Sequence, residues 1–507
     1  MRGRIDATAR RSFLVLGIAC LAGPPPFASV PANLSAAAAP PAVTEMVTVI
    51  HLHTTLSDGA AVPVDLARAA RTAGVDALVI TDHYLEKVTY APWPIGNVLG
   101  LSLSRASVLS GGIDRYFETL SAAEKQVPGV LLLPGLEVSP FARWTGSLLK
   151  RTLALEGWHR HVLVIGIEDS NALRDLPVAA NRRGGRYGPW SLLFVLPAAA
   201  LVWSTGRLAK PGYRETRIGK FVLRRRRAPI LQGLVGAASL ALLVAGFPFR
   251  VERWSPVGVD PGDAPFRCLE ERVRSLGGLT SWAHPEAAAD KEELGLRIAT
   301  SPYPEMVVRT DADAFGALPE GVKTLLPPGG LWDRALLDHL EGKRLSAPFA
   351  IAEIDEHRAT QDIDLRILQT VCSVQERTHA GLVQALRAGR CYARWTPYDR
   401  PPLRLVAWEA APGAGRAEGA GGVLRRTGPL TVRLAVAGGD GHEVTARLLR
   451  RGEVIWSDRI TPPFERIVPD ETRGPTYYRL DVEGAYPYRL IGNPIFVLPG
   501  AEAREGA

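Results

Sequence analysis

The sequence predicts an α/β barrel, interrupted by an apolar helical hairpin and followed by a small all-β sandwich. Three observations predict it. Between residues 45 and 398, seven short apolar runs alternate with helical patterns, as expected of strands joined by crossover helices. Polar residues, rich in His, Asp and Glu, cluster at the ends of these runs, the place where barrels assemble a site. From residue 402 onward the pattern changes to short strands separated by Gly- and Pro-containing turns.

In order, Thr48-Val49-Ile50 ends at His51-Leu52-His53, and a helix over 64–73 follows, stopped by Gly74. The run 77–80 ends at Thr81-Asp82-His83, and 130–133 leads to Gly135-Leu136-Glu137. The run 162–165 has His161 at its start. Later, 278–282 leads to His284-Pro285, 306–308 to Arg309, and 349–352 to Asp355-Glu356-His357. In the β region, 402–500, strands are predicted at 403–408, 430–436, 444–449, 454–456, 477–482 and 495–498, with a Gly/Ala-rich loop over 411–422.

Residues 1–44 read as a signal peptide or N-terminal anchor plus an Ala/Pro linker, with Arg2, Arg4, Arg10 and Arg11 preceding the apolar run 13–22. Arg10-Arg11-Ser12-Phe13-Leu14 resembles a twin-arginine signal, and a Sec signal fits the same residues. Two further stretches, 187–206 and 228–249, carry no charge and reach the ~20 residues a membrane span needs. Trp190 and Trp203 suit its interfaces, while Pro197 interrupts the first stretch. The segment 207–227 between them is strongly basic, which places it in the cytoplasm and the catalytic domain outside, periplasmic or at the cell surface. This block accounts for much of the formal net charge of +8, so the charge gives no specific nucleic-acid signal. The four cysteines lack zinc-finger spacing, and buried free thiols are expected, although one pair could bridge in an oxidising compartment.

Six of ten histidines sit at strand ends: His51, His53, His83, His161, His284 and His357, accompanied by Asp58, Glu137 and Asp355. Burying so many titratable groups costs several kcal/mol each unless a cation accompanies them. Mixed His/carboxylate ligands suit Zn, Mn or Fe. In a strand, His51 and His53 point to one side and reach one ion.

The run His51-Leu52-His53-Thr54-Thr55-Leu56-Ser57-Asp58-Gly59 resembles the opening motif of the polymerase and histidinol phosphatase (PHP) superfamily. Thr81-Asp82-His83, Gly135-Leu136-Glu137, His161, Ala283-His284-Pro285 and Asp355-Glu356-His357 resemble its later motifs in order. The resemblance covers 45–180 and 265–395 and implies a distorted (β/α)7 TIM-like barrel holding two to three divalent ions. It implies one ion on His51, His53, Glu137 and Asp355, a second on Glu137, His161 and His284, and a third on Asp58, His83 and His357. Glu353 and Ile354 depart from the small residues usual before the last motif. The export signal, the β region, Tyr477-Tyr478-Arg479-Leu480 and Asn493-Pro494-Ile495 are similar to the carbaryl-hydrolase-like branch.

The chemistry implied is hydrolysis by a metal-bridging hydroxide held near Glu137 and Asp355, with no side-chain nucleophile. Phosphoester cleavage of a small-molecule ester is the leading expectation. Carboxyl or carbamate ester hydrolysis, a 3′,5′-nucleotide bisphosphate phosphatase or 5′–3′ exonuclease, and a membrane-tethered non-catalytic binding module are the alternatives. Asp82 is expected either to orient His83 or to cap a turn. Arg309 and Arg358 read as surface arginines before they read as substrate contacts, His159 as exposed, and His339, His379 and His442 as structural. The oligomeric state is not legible.

Overall fold

Seven strands close a barrel: Thr44–Leu52, Ala77–Ile80, Leu131–Val138, Val162–Ile165, Leu279–Trp282, Ala314–Leu318 and Phe349–Glu356, the last pairing back onto the first. This computed structural model describes residues 43–90, 101–210, 212–226, 229–293, 295–413, 415–426 and 428–500, and the expected targeting segment lies outside them. The helix Pro63–Ala73 starts on a proline at its first turn and ends at Gly74, whose φ of 70° needs no Cβ. It buries Leu66, Ala67 and Ala70 against the barrel core.

Two expectations need correction. The barrel is mixed rather than wholly parallel, because Val162–Ile165 runs antiparallel to both neighbours. The run 306–308 is a helix, Met306–Arg309, burying only Met306 and Val307, and the strand in its place is Ala314–Leu318. Short apolar runs fit either period, and Gly316 disguises the true strand.

A four-stranded sheet stands beside the barrel mouth, in the order Ala289–Glu293, Leu296–Thr300, Ala154–Glu156, Arg143–Thr145. Trp144, Leu155, Trp158 and Ile298 form its core. The insertion leaves from this side. The Trp144 amide donates to Pro256 O at 2.8 Å, and Arg186 pairs with Val251. Pro189–Leu208 is long and apolar enough to cross a membrane, whereas its antiparallel companion, Ile230–Gly246, is shorter than the stretch 228–249 suggested. Within the basic segment between them, Tyr213–Ile218 and Phe221–Arg226 pair as antiparallel strands.

The barrel sheet does not end at the barrel. Leu368–Val374 adds antiparallel to the first strand, and Cys391–Trp395, Arg489–Pro499, Thr476–Glu483, Val444–Arg450 and Glu453–Ile460 follow in turn. A second sheet contains Arg404–Pro412, Leu430–Ala437 and Phe464–Asp470. Both contribute to one apolar cluster that includes Trp408, Leu434, Leu448, Leu480 and Ile495. The strands expected as a small all-β domain include several that extend the barrel sheet, and the described residues between 43 and 500 belong to one compact unit. Cys372 and Cys391 face each other across paired strands as buried free thiols.

Candidate metal centre

All nine residues singled out by the sequence converge at one end of the barrel. His51 lies in the first strand and His53 just after it, Asp58 in the following loop, His83 beyond the second strand and Glu137 near the end of the third. His161 precedes Val162–Ile165, and because that strand is antiparallel its start lies where the parallel strands finish. His284 follows Leu279–Trp282, Asp355 ends the closing strand with Glu356, and His357 comes next.

Local backbone aims these groups. His51 falls at a register shift against both neighbouring strands, an irregularity that redirects a side chain. It has φ 74°, His284 has φ 29° and Asp355 has φ 46°, conformations that L-residues with side chains rarely adopt. Gly59 lets the next loop close, since a Cβ there would lie 2.4 Å from the His53 carbonyl carbon.

Glu137 is the hub. Its Oε1 stands 3.1 Å from His51 Nε2, 2.5 Å from His161 Nδ1 and 3.2 Å from His284 Nε2. Its Oε2 stands 3.2 Å from His53 Nε2 and 3.0 Å from His83 Nδ1. Asp355 Oδ1 is 3.3 Å from His51 Nε2. Asp58 Oδ1 is 3.3 Å from His53 Nδ1, and its Oδ2 is 3.4 Å from both His83 Nε2 and His357 Nε2.

Direct hydrogen bonding does not account for this crowd. His51 Nε2, both ring nitrogens of His53, Glu137 Oε2 and His161 Nε2 are buried without a hydrogen-bond partner. Ligand atoms bound at ~2.1 Å around one cation are ~3.0–3.4 Å apart in octahedral or tetrahedral geometry, which matches most of the separations here. Three groupings place their ligand atoms within 4.8 Å of one another: His51, His53, Glu137, Asp355; His83, Glu137, His161; and His53, Asp58, His83, His357. The first coincides with the set the resemblance implied. The second has His83 where His284 was expected, although His284 Nε2 lies 3.2 Å from His161 Nδ1, and the third gains His53.

The electrostatics favour positive charge. Burial alone would raise the Glu137 pKa, but His161, His51 and His83 hold it well below the usual range. Asp355 is held at about 2 against its own burial, chiefly by His51 and His284. Burial pulls His51 downward, and Glu137 with Asp355 outweighs it, leaving the imidazole raised. Both carboxylates are therefore ionised at neutral pH.

Supporting residues that the sequence did not reveal complete the centre. Buried Glu353 sets Oε2 3.1 Å from His51 Nδ1, while its Oε1 accepts the His284 backbone N–H. Gly316 makes room for it, since a Cβ there would fall 1.8 Å from Glu353 Oε1. The Tyr303 hydroxyl donates to Ala283 O at 2.7 Å and lies 3.1 Å from His284 Nδ1, leaving that ring's Nε2 toward Glu137. An unusual acid before the last motif was the only visible trace of Glu353, and no sequence signal distinguished Tyr303.

Other expectations resolve as follows. Asp82 organises a turn: it accepts the Thr54 N–H at 2.7 Å, the Thr54 hydroxyl at 2.7 Å and the Ser57 hydroxyl at 2.5 Å, steadying the loop that carries Asp58. His159 is not exposed. It is half-buried in the cleft wall, with burial and His161 pushing its pKa down to about 3. Arg309 pairs with Asp263 and Arg358 with Glu356, neither lining the cleft. His379 bonds Glu124, His339 packs on Phe496, and His442 is exposed. The cleft over the centre measures about 270 Å³, and Arg105, Lys291, Thr300 and Ala287–Ala289 line it beside the candidate ligands.

No protein-family model and no curated protein matches this chain. Among solved structures it is similar to a two-domain protein from Bacteroides vulgatus containing a predicted PHP-like metal-dependent phosphoesterase, at 12% identity and TM-score 0.34, over 90% of this chain and 95% of that one. It is also similar to an amidohydrolase from Chromobacterium violaceum with bound sulfate and no metal, at 14% identity and TM-score 0.25, over 62% and 89%. A fibronectin(III)-like module of Clostridium thermocellum CbhA matches 19% of this chain and 98% of its own, at 20% identity and TM-score 0.14.

Proposed function

We propose that this chain is a metal-dependent hydrolase of the PHP type, acting on a phosphate ester of a small molecule. The observation that carries the proposal is Glu137, one buried carboxylate with imidazole nitrogens of five histidines within 3.2 Å and several buried ring nitrogens left without partners. His51, His53, Glu137 and Asp355 would hold one divalent ion, Glu137 and His161 with His83 or His284 a second, and Asp58, His83 and His357 with His53 a third. When bound, such ions supply Lewis acidity and an activated water at neutral pH.

The chain's own residues do the rest. Glu137, which belongs to two of the groupings, would be shared between two ions and keeps its negative charge in the barrel mouth. Asp355, with 41% of its side chain exposed, reaches the cleft and, being ionised, accepts rather than donates a proton. Arg105 and Lys291 bring positive charge to the cleft wall, which favours an anionic ester. Arg105 is held in place over the Trp158 ring, 5.1 Å from its centroid, and by Glu293.

The second reading is carboxyl or carbamate ester hydrolysis, favoured by the alanine wall Ala287–Ala289 beside the centre. The dimensions of the cleft suit a small molecule better than a polynucleotide, which ranks the exonuclease alternative lower. Elemental analysis with a panel of phosphomonoesters, phosphodiesters, carboxyl esters and carbamates tests the proposal, comparing the parent with Glu137→Gln. Bound divalent metal and phosphoester turnover, both lost in the variant, are expected. Turnover confined to carboxyl esters or carbamates selects the second reading. Purified parent with neither metal nor turnover refutes hydrolysis and leaves the non-catalytic module.

A further inference from the structure

The inserted helices are built inside out for water. Pro189–Leu208 turns outward Leu192 (68% exposed), Leu196 (67%) and Val202 (72%), and Ile230–Gly246 does the same with Ile230 (69%), Leu234 (64%) and Val244 (69%). What they bury is small: Ser204 on the first helix, and Gly236, Ser239 and Gly246 on the second. The contact depends on that smallness. A Cβ on Gly236 would lie 2.7 Å from Ser204 Oγ, and one on Gly246 would lie 2.1 Å from a Phe194 ring carbon. The Ser204 hydroxyl donates to Gln232 O across the interface. In water an amphipathic helix pair hides its large apolar side chains. Close approach on small residues with the large ones outward is how helices pair in hydrocarbon.

Length and charge identify the surroundings. The 20 residues Pro189–Leu208 reach about 30 Å at helical rise, the thickness of a bilayer's hydrocarbon core, and Ile230–Gly246 at 17 residues reaches the lower end of a span. Nine Lys and Arg against the single Glu215 occupy 207–227, at the far end of the pair from the barrel. Arg217, Lys220 and Arg224 in its β-hairpin are exposed.

We infer that the two helices span a phospholipid bilayer as a hairpin, that the basic β-hairpin emerges among anionic headgroups on the cytoplasmic side, and that the barrel stands on the opposite side. This inference does not depend on the hydrolase reading. It also locates the candidate metal centre. Arg143–Thr145 is tied to the hairpin's exit at Val257, and Ala289–Glu293 of the same four-stranded sheet lines the cleft. Three strand spacings, ~14 Å, separate those two edges, so the cleft opens close to the membrane surface.

Sidedness tests the inference in the full chain. Lys220→Cys places a thiol in the turn of the basic hairpin. Arg459→Cys places one at a position 75% exposed in the β region. Each is expressed in cells and probed with a membrane-impermeant maleimide in spheroplasts and in inverted vesicles, the parent's own cysteines giving the background. Both substitutions lie in exposed turns or strands and leave the core untouched. Lys220→Cys is expected to label only in inverted vesicles and Arg459→Cys only in spheroplasts. Labelling of both from one side overturns the inference, whether the helices then lie flat on the bilayer or are covered by a second copy of the chain.

Discussion

Replacing Glu353 with Gln preserves its shape while altering one contact. Glu353 Oε2 lies 3.1 Å from His51 Nδ1, and the partner that suits a carboxylate is Nδ1–H, which leaves the Nε2 lone pair facing Glu137 and Asp355. In Glu353→Gln the amide oxygen can still accept the His284 N–H, but an NH₂ then faces Nδ1. Donor meets donor unless His51 moves its proton to Nε2, the atom a cation needs. Outer-shell partners of this kind are worth 10–100-fold in metal affinity, or about 1.4–2.7 kcal/mol. Calorimetric titration of stripped protein with Zn²⁺ and Mn²⁺ measures this directly, with circular dichroism checking the fold. Gly316→Ala displaces the same carboxylate, because its Cβ would lie 1.8 Å from Glu353 Oε1, and should weaken binding by a similar factor. Unchanged affinity in both variants, within about twofold, would refute a positioning role for Glu353.

Other consequences can be checked by unfolding measurements. Asp333 accepts from Arg479 at 2.7 and 2.6 Å and from the Tyr477 hydroxyl at 2.8 Å, all three residues fully buried. Asp333→Ala leaves the guanidinium uncompensated and should cost about 3–5 kcal/mol in urea denaturation. A loss under 1 kcal/mol would mean that Arg479 finds other partners. Glu270 is buried beside Thr310 and Arg344, and burial raises its pKa from 4.5 to about 7. Its native form binds more protons than its unfolded form between those values, so its contribution to stability falls as pH rises through that window and is flat outside it. Glu270→Gln should therefore match the parent near pH 4 and exceed it by about 3 kcal/mol near pH 8. An equal difference at both pH values would dissociate the effect from ionisation.

The candidate ligands were legible because chemistry and position coincide: His and carboxylates at the ends of apolar runs stand out from packing residues. Glu353 and Tyr303 were not, since each acts through another side chain, and a lone Glu or Tyr carries no spacing signal. Asp82 offered two roles with one sequence signature, and only the hydrogen bonds from Thr54 and Ser57 separate them. The apolar run 306–308 shows why the sixth strand was misplaced: three consecutive apolar residues satisfy a helix as readily as a strand. The reversed direction of Val162–Ile165 was likewise hidden, because periodicity carries no sense of direction. His161 at the start of that run was the one available hint. Sheet continuity past residue 368 depends on pairings distant in sequence, which a local pattern does not encode.

That continuity governs the order in which the molecule can be completed. The closing barrel strand, which carries Glu353 and Asp355, is pinned from the far end of the chain. Asn493 Oδ1 accepts the Ala350 N–H at 2.7 Å, and its amide donates to Ala350 O at 3.1 Å and to Cys391 O at 2.9 Å. Cys391–Trp395 also finds its outer neighbour only in Arg489–Pro499. A chain emerging from its N-terminus therefore has all nine candidate ligands in hand by His357, yet the strand that carries Asp355 and its supporting Glu353 lacks its last clamp until residue 493 arrives. A fragment ending near residue 398 would keep the chemistry on paper while leaving an open strand edge ready to pair with another molecule. The C-terminal strands thus act as a hoop laid outside a barrel whose seven staves are already in place.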